Sequence, residues 1–364
     1  MKILFHLGHP AHFHLFINTI KILFKKKHQI NILIKKKDLL QQLLIQSKLE
    51  FHNLLPFGRS NTFRGLVYST VTQDIKLGIL CKKYKPDILI GTSVAICHVG
   101  KILNIPSINV NEDDAKAIPF YSYLSYIFST KILSPMACNN SSWQNKTISY
   151  NGYHELAYLH PKYFIPNKNK VEKYLPINKP YFILRFAQLS AHHDRRVTGI
   201  NSTIAKKTID ILKPHGNIYI TSERHLEPKF EKYRLNINPI DIHHVLAFAK
   251  MYIGDSQTMA AEAAVLGIPA LRFNDFVGKL GYLKELEHKY GLTYGIKTSE
   301  LDKLLQKIDE LLKIPKLKEV WQRRQEKMLK DKIDVTSFLV WFIENYPRSV
   351  KIMKNNPEYQ YNFK

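Results

Sequence analysis

The sequence predicts an α/β protein made of two Rossmann-like domains, each a parallel sheet wrapped by helices, with a cleft between them. Three observations predict it. Short, wholly apolar runs alternate with longer stretches whose apolar residues recur at helical spacing, the rhythm of a parallel sheet with crossover helices. That rhythm breaks once, where Pro161, Pro166, Pro176 and Pro180 surround Asn167-Lys168-Asn169-Lys170, a linker composition. It then resumes. The predicted boundaries are residues 1–165 and 166–334, followed by a C-terminal helix and tail over 335–364.

In the first domain, Ile3 to His6, Ile30 to Ile34, Phe51 to Leu55, Asp87 to Gly91 and Ser107 to Val110 read as buried strands. Ala11 to Phe24, Leu39 to Gln46, Phe63 to Lys83 and Ile96 to Leu103 read as the helices between them. Pro10 suits a helix start. The apolar segment Ile118 to Leu133 is interrupted by Pro119, serines and tyrosines, and reads as an amphipathic or buried helix. In the second domain the strands are Tyr181 to Arg185, Asn217 to Thr221, Met251 to Gly254 and Ala270 to Phe273. Its helices are Thr198 to Leu212, Ile242 to Ala249, Thr258 to Leu266, Gly278 to Tyr290 and Leu301 to Leu312. Val335 to Asn345 is a late apolar helix, and the tail from Pro347 is expected to be partly irregular.

Composition bounds the function classes. A chain of 364 residues has room for two ordinary domains, and 45% hydrophobic with 12% aromatic residues supplies real cores. Cys81, Cys97 and Cys138 are odd in number and widely spaced. They form neither a zinc pattern nor a disulfide framework, which suits a reducing cytoplasm. Lys2 leads into a short strand and then the Gly8-His9-Pro10 turn, which does not read as a signal peptide. No apolar run approaches the length of a bilayer span. The net charge of +24 implies attraction to anions such as nucleotide-sugars or anionic lipid, although an AT-rich genome also enriches lysine. No nucleic-acid recognition motif accompanies it. Lys25-Lys26-Lys27 and Lys35-Lys36-Lys37 read as solvated faces, with peripheral contact to the anionic inner leaflet as the alternative.

The most informative stretch is Tyr252-Ile253-Gly254-Asp255-Ser256-Gln257-Thr258-Met259-Ala260-Ala261-Glu262, a strand, a polar turn and a helix. Ser256, Gln257 and Thr258 stand at the helix start. N–H groups without intrahelical partners and the positive end of the dipole suit a phosphate there. The plainer reading is an ordinary N-cap. Glu262 is an acid in an otherwise apolar helix, and an unpaired buried charge is costly, which favours a place at a site edge. From there it can accept hydrogen bonds from ribose hydroxyls.

This segment resembles the C-terminal-domain signature of the non-hydrolysing UDP-N-acetylglucosamine 2-epimerases, in which Asp-Ser-Gly-Gly is followed four residues later by Glu. Asp255, Ser256 and Glu262 match; Gln257 and Thr258 replace the glycines. The whole chain resembles an uncharacterised archaeal and bacterial family related to these epimerases and to GT-B glycosyltransferases. The supporting pieces are His9-Pro10-Ala11-His12-Phe13-His14, Tyr150-Asn151-Gly152-Tyr153-His154-Glu155, Leu184-Arg185-Phe186 and His192-His193-Asp194. The resemblance implies a GT-B-like arrangement, with acceptor and sugar on the N-terminal domain and the nucleotide-sugar on the C-terminal one. It also implies a last helix that crosses back onto the N-terminal domain.

Further candidates follow from that frame. His6, His9, His12 and His14 crowd the end of the first strand, where Gly8 lets backbone approach a ligand. On a helix His12 and His14 diverge, so they are not the same-face pair of a metal site, and no metal is expected. His12 is a candidate contact to acceptor, phosphate or sugar, beside a structural role. Asn111-Glu112-Asp113-Asp114 follows a strand where the epimerases carry a Val-Glu motif. Glu112 is the best match and Asp113 the next, as acid or base. Asp114 fits the N-cap of a helix near Ala115. The epimerases also carry an Asp where this chain has Thr92-Ser93, which argues against simple 2-epimerisation. Arg185, with His192, His193, Arg195 and Arg196, makes a cationic mouth suited to a diphosphate leaving group, with a structural salt bridge as the alternative for Arg185. Ile242 and His243 are candidate contacts to the base. The reading is a glycosyltransferase that moves a sugar from a nucleotide-sugar, UDP-linked by preference, to a cell-surface glycan or polyprenyl-lipid acceptor. It needs no cofactor besides that substrate. A UDP-N-acetylglucosamine 2-epimerase-like enzyme and a non-catalytic nucleotide-sugar-binding protein are the alternatives.

Overall fold

The computed structural model describes residues 1–35, 38–56, 63–187 and 199–364. These fall into two compact units. One comprises Met1–Tyr158 with Lys332–Lys364, the other Leu159–Asp331.

The first unit is built on a seven-stranded parallel sheet: β1 (Lys2–Leu7), β2 (Gln29–Lys35), β3 (His52–Leu55), β4 (Ile88–Gly91), β5 (Ser107–Val110), β6 (Lys131–Pro135) and β7 (Thr147–Tyr150), in the order β3-β2-β1-β4-β5-β6-β7. Ile3, Leu4, Phe5 and Leu7 are all buried, as expected for a strand covered on both faces. On one face Leu4, Leu33 and Leu89 pack with Leu77 and Cys81 of the Phe63–Tyr84 helix and with Ile96 of the Val94–Leu103 helix. Phe5 packs on Phe16 of the Pro10–Lys25 helix, with ring centroids 5.4 Å apart. Pro10 occupies the first turn of that helix, and His9 caps it by accepting the Ala11 N–H.

The chain's return to this unit is also well packed. The Val335–Glu344 helix is capped by Asp334, whose carboxylate accepts the Ser337 N–H at 2.9 Å. It buries Phe338, Leu339 and Phe342. Thr336 Oγ1 donates to the Ala157 carbonyl (2.7 Å), and Glu344 accepts from Lys26 (2.6 Å) and lies 3.0 Å from His28 Nε2.

The second unit carries a five-stranded parallel sheet: β8 (Tyr181–Phe186), β9 (Asn217–Ser222), β10 (Met251–Gly254), β11 (Ala270–Phe273) and β12 (Thr293–Ile296), ordered β12-β11-β10-β8-β9. Its core joins Tyr181, Ile183 and Tyr252 of the sheet to Val245, Leu246, Met259, Ala260 and Ala263 of the covering helices.

Several expectations need correction. Ile118 to Leu133 is not one helix. A helix spans Pro119–Tyr126 and β6 follows. Lys146 Nζ donates to the carbonyls of Tyr126, Ile127 and Ser129 (2.7–3.1 Å), which terminates the helix. Beyond it Ile132 and Leu133 are buried in the sheet. β7 and β12 were not expected from the sequence. The tail from Pro347 is not irregular: it forms a helix at Arg348–Asn355 and a 3₁₀ segment at Pro357–Phe363, with Tyr359 stacked on Trp341. The three cysteines are buried, and among the described residues they form no disulfide. Among the described residues, no helix is long and apolar enough to cross a membrane.

Candidate functional site

Each sheet has a point where the chain leaves two neighbouring strands in opposite directions, and in open parallel sheets ligands bind beyond the carboxyl ends of such strands. In the second unit the pair is β8 and β10, with Arg185 in register with Gly254.

Asp255 follows β10 and is buried. Its carboxylate accepts the N–H groups of Ala187 (2.6 Å) and Ile200 (3.1 Å), and Arg224 Nη2 lies 3.5 Å away. Its carbonyl accepts Asn274 Nδ2 at 2.9 Å. Burial raises its pKa, against the pull of those donors. Asp255 thus clasps the chain beyond β8 and β11 to the turn beyond β10. Gly254 is required beside it. A Cβ there would collide with Tyr252 Oη and lie 2.8 Å from Arg185 Cβ. Tyr252 Oη donates to the Ser256 carbonyl at 3.2 Å, so its ring lies across the glycine.

Ser256 is the N-cap of the Gln257–Val265 helix, its hydroxyl accepting the Met259 N–H at 3.4 Å. The N–H groups of Gln257 and Thr258 lie in the first turn, where no intrahelical acceptor exists. Gln257 Oε1 is buried without a partner among the described residues. Six residues past the cap, Glu262 is buried, and its Oε1 lies 3.0 Å from His243 Nε2. His243 opens the short Ile242–Ala247 helix. Its neighbour His244 stacks on Phe164 (4.8 Å) and accepts the Asn167 N–H on Nδ1 (3.2 Å), and burial lowers its pKa. Arg185 is ion-paired with Glu223, while its Nε is buried without a partner among the described residues. The sequence-predicted residues of this unit therefore gather as one turn, Ser256 to Thr258, and one buried pair, His243 with Glu262. His192, His193, Arg195 and Arg196 lie outside the described residues.

In the first unit the corresponding strands are β1 and β4, with His6 in register with Gly91. Gly91 has φ +155°, and a Cβ there would collide with the His6 carbonyl, which accounts for glycine at that strand end. The Gly8 N–H donates to His12 Nδ1 at 3.0 Å, which assigns the proton to Nε2. Thr92 Oγ1 lies 2.5 Å from Nδ1 and 2.7 Å from Nε2 of the same ring. Lys35 lies against Gly8, its Cε 3.1 Å from where a Cβ would stand. Beneath them His6 is 1% exposed. Burial, then the charge of Lys35, lowers its pKa to about 3.

Glu112 lies beyond β5, next to β4 in the sheet. Its Oε2 accepts the His154 N–H (3.3 Å) and sits 3.4 Å from His154 Nδ1. Burial lowers the His154 pKa to about 3, so this contact involves a neutral ring. Cys138 Sγ donates to the Glu112 carbonyl at 2.8 Å. The Asp113 N–H donates to Asn111 Oδ1 at 3.4 Å. Asp114 is not a helix cap: the next helix starts at Pro119, and Asp114 Oδ1 accepts the Asn139 N–H instead. Sequence reasoning missed Asp255 as a clasp, His154 beside Glu112 and Thr92 beside His12. Only His154 carried a signal, its place in the Tyr153-His154-Glu155 run. Among the described residues, no group of three His, Cys, Asp or Glu could hold a metal ion.

Residues 1–340 match the model of a family described as "Protein of unknown function (DUF354)". No curated protein matches the chain in sequence. In fold it is similar to the UDP-GlcNAc 2-epimerase from Neisseria meningitidis bound to UDP-GlcNAc (TM-score 0.70, 15% identity, covering 95% of this chain and 100% of that one). The UDP-GlcNAc 2-epimerase from Methanocaldococcus jannaschii is similar as well (TM-score 0.61, 17% identity, 86% and 93% covered). So is the spinosyn rhamnosyltransferase SpnG complexed with thymidine diphosphate (TM-score 0.64, 13% identity, 95% and 100% covered). The chain thus has two parallel-sheet α/β units of the kind found in GT-B proteins.

Proposed function

This chain belongs to the DUF354 family, and we propose that it is a glycosyltransferase that moves a sugar from a nucleotide-sugar, UDP-linked by preference, to a glycan or polyprenyl-lipid acceptor. One observation carries the nucleotide-sugar part. The first turn of the Gln257–Val265 helix stands at the strand reversal of the second unit, braced by Asp255 and followed by the buried His243–Glu262 pair. The N–H groups of Gln257 and Thr258 would receive the diphosphate, as helix starts do. Glu262, oriented by His243, would accept from the ribose. Arg185 would offset charge developing on the leaving diphosphate. The similar folds bound to UDP-GlcNAc and to thymidine diphosphate support this reading. Glu112, Asp113 and His12 are the proposed groups for the acceptor hydroxyl or the sugar. Glu112, against a neutral histidine, is suited to take a proton.

A 2-epimerase-like activity is the second reading, favoured by Glu112 at the end of β5 and by the Asp255-Ser256-Glu262 spacing. Against it, the end of β4 carries Thr92, which engages His12, where the epimerases have an acid. The test is a thermal-shift series with UDP, thymidine diphosphate and their sugars, followed by NMR of a stabilising nucleotide-sugar with the protein alone. Stabilisation with turnover only when acceptor is added supports transfer. Formation of the 2-epimer without acceptor supports epimerisation. No stabilisation by any nucleotide-sugar sinks both.

A further inference from the structure

The helices Phe63–Tyr84, Val94–Leu103 and Pro119–Tyr126 cover one face of the first sheet. A surface helix normally turns one apolar stripe inward and a charged face outward. The Phe63–Tyr84 helix departs from this. Leu77 and Cys81 face the core, yet Tyr68, Val71, Ile75 and Ile79 form a second apolar line on the outside, Tyr68 being 74% exposed. Ile102 continues it on the next helix, and Tyr123 and Ile127 on the third side of the layer.

His98 makes the three outer faces one surface. Its Nδ1 lies 2.8 Å from Asp74 Oδ2 on the first helix, its Nε2 donates to the Leu124 carbonyl at 2.9 Å on the third, and its ring meets Phe128 edge-on at 4.9 Å. With ~150–200 Å² for each large side chain, the exposed fractions of these residues sum to roughly 650–900 Å² over the three helices, where the largest apolar patch on a typical monomer is ~300–600 Å². The first two of these helices carry Arg64, Lys82, Lys83 and Lys101, besides Lys76, whose Nζ donates to the Leu54 carbonyl, against Asp74, which His98 already engages. A second copy of the chain would bring the same cations to the contact. An anionic surface would complement them.

We propose that this three-helix face rests on an anionic lipid surface, with its aliphatic and tyrosine side chains among the acyl boundary and its basic residues at the headgroups. In a parallel sheet the covering helices run back from the carboxyl ends of the strands, so Tyr68, in the second turn of the Phe63–Tyr84 helix, lies toward the sheet edge that carries His12 and Glu112. Under the transferase reading above, the contact would deliver a lipid-linked acceptor to that edge. The lipid contact itself does not depend on that reading.

The test is cosedimentation of the full chain, without nucleotide-sugar, with vesicles of phosphatidylglycerol and phosphatidylcholine and with phosphatidylcholine alone. Binding is expected only with the anionic vesicles. It should weaken at least tenfold at high salt, in Lys82→Glu/Lys83→Glu, and in Ile75→Glu/Ile79→Glu. Those side chains are exposed, so an unchanged circular dichroism spectrum certifies the fold of each variant. No binding to anionic vesicles, or equal binding by folded variants, overturns the proposal. So does a dimer by analytical ultracentrifugation that Ile75→Glu/Ile79→Glu turns into monomer, because the face would then serve a second copy. Failure here leaves the thermal-shift result with nucleotide-sugars untouched.

Discussion

Acid should destabilise the first unit well before its carboxylates titrate. His6 and His154 are both buried, and burial lowers each pKa to about 3 from an ordinary value near 6.5. The sign follows from linkage. Between these values the unfolded chain takes up a proton at each histidine and the folded chain does not, so stability is lost as pH falls. Each group contributes a slope of about 1.4 kcal/mol per pH unit, so the pair costs roughly 5 kcal/mol between pH 6.5 and 4.5. Total stabilities of about 5–15 kcal/mol make that a large share. Two groups act in the opposite sense. His98, whose bond to Asp74 raises its pKa, gives stability that is present at low pH and lost as pH rises through its folded value. Asp255, raised by burial, favours the folded state as pH falls toward the carboxylate range. Substitution separates them. Urea midpoints followed by tryptophan fluorescence at half-unit steps from pH 7 to 4.5 should fall steeply in the parent. His6→Gln and His154→Gln should each flatten that fall by about 1.4 kcal/mol per unit. A parent midpoint that is level over this range, or variants with the parent's slope, would refute the reasoning.

Three further outcomes are expected. Glu262→Gln keeps the shape of the side chain but removes the charge proposed to hold the ribose. Affinity for a stabilising nucleotide should fall about 10–100-fold by titration calorimetry, and an unchanged Kd would remove Glu262 from the site. Asp255→Ala strands the N–H groups of Ala187 and Ile200. With about 1–3 kcal/mol for each buried donor, the second unit should lose roughly 2–6 kcal/mol in urea unfolding, and a loss below ~1 kcal/mol would show that the clasp is replaceable. Gly254→Ala drives a methyl into Tyr252 Oη. It should cost about 1–3 kcal/mol, and a double-mutant cycle with Tyr252→Phe should recover part of it; strict additivity would mean that the ring does not lie across the glycine.

Much of the fold was legible because buried parallel strands write themselves as short apolar runs. Met251–Gly254, Ala270–Phe273 and Ser107–Val110 match the expected residues at both ends. The missed strands have ordinary reasons. Thr147–Tyr150 alternates polar and apolar residues between turns, Thr293–Ile296 contains a glycine, and Lys131–Pro135 continues an apolar helix with only Ser129 and Thr130 as a break. At the site, Ser256 was readable as a cap because capping is local in sequence. The role of Asp255 was not, since its partners are backbone groups of Ala187 and Ile200, and a backbone N–H leaves no mark in the residue type. His243 and Glu262 stand 19 positions apart, and their contact depends on how two helices pack.

The division of the chain sets the order in which its parts can be completed. Tyr158 leaves the first unit and Lys332 re-enters it, so the whole second unit is an insertion within the first. During synthesis Leu159–Asp331 is available to fold before Phe338, Leu339 and Phe342 emerge to fill the first unit's core. Until then the Pro10–Lys25 helix lacks the aromatic helix that packs on it. The nascent first unit therefore exposes apolar surface for as long as the second unit takes to be made. That interval is when a ribosome-bound chain would offer a chaperone its largest target.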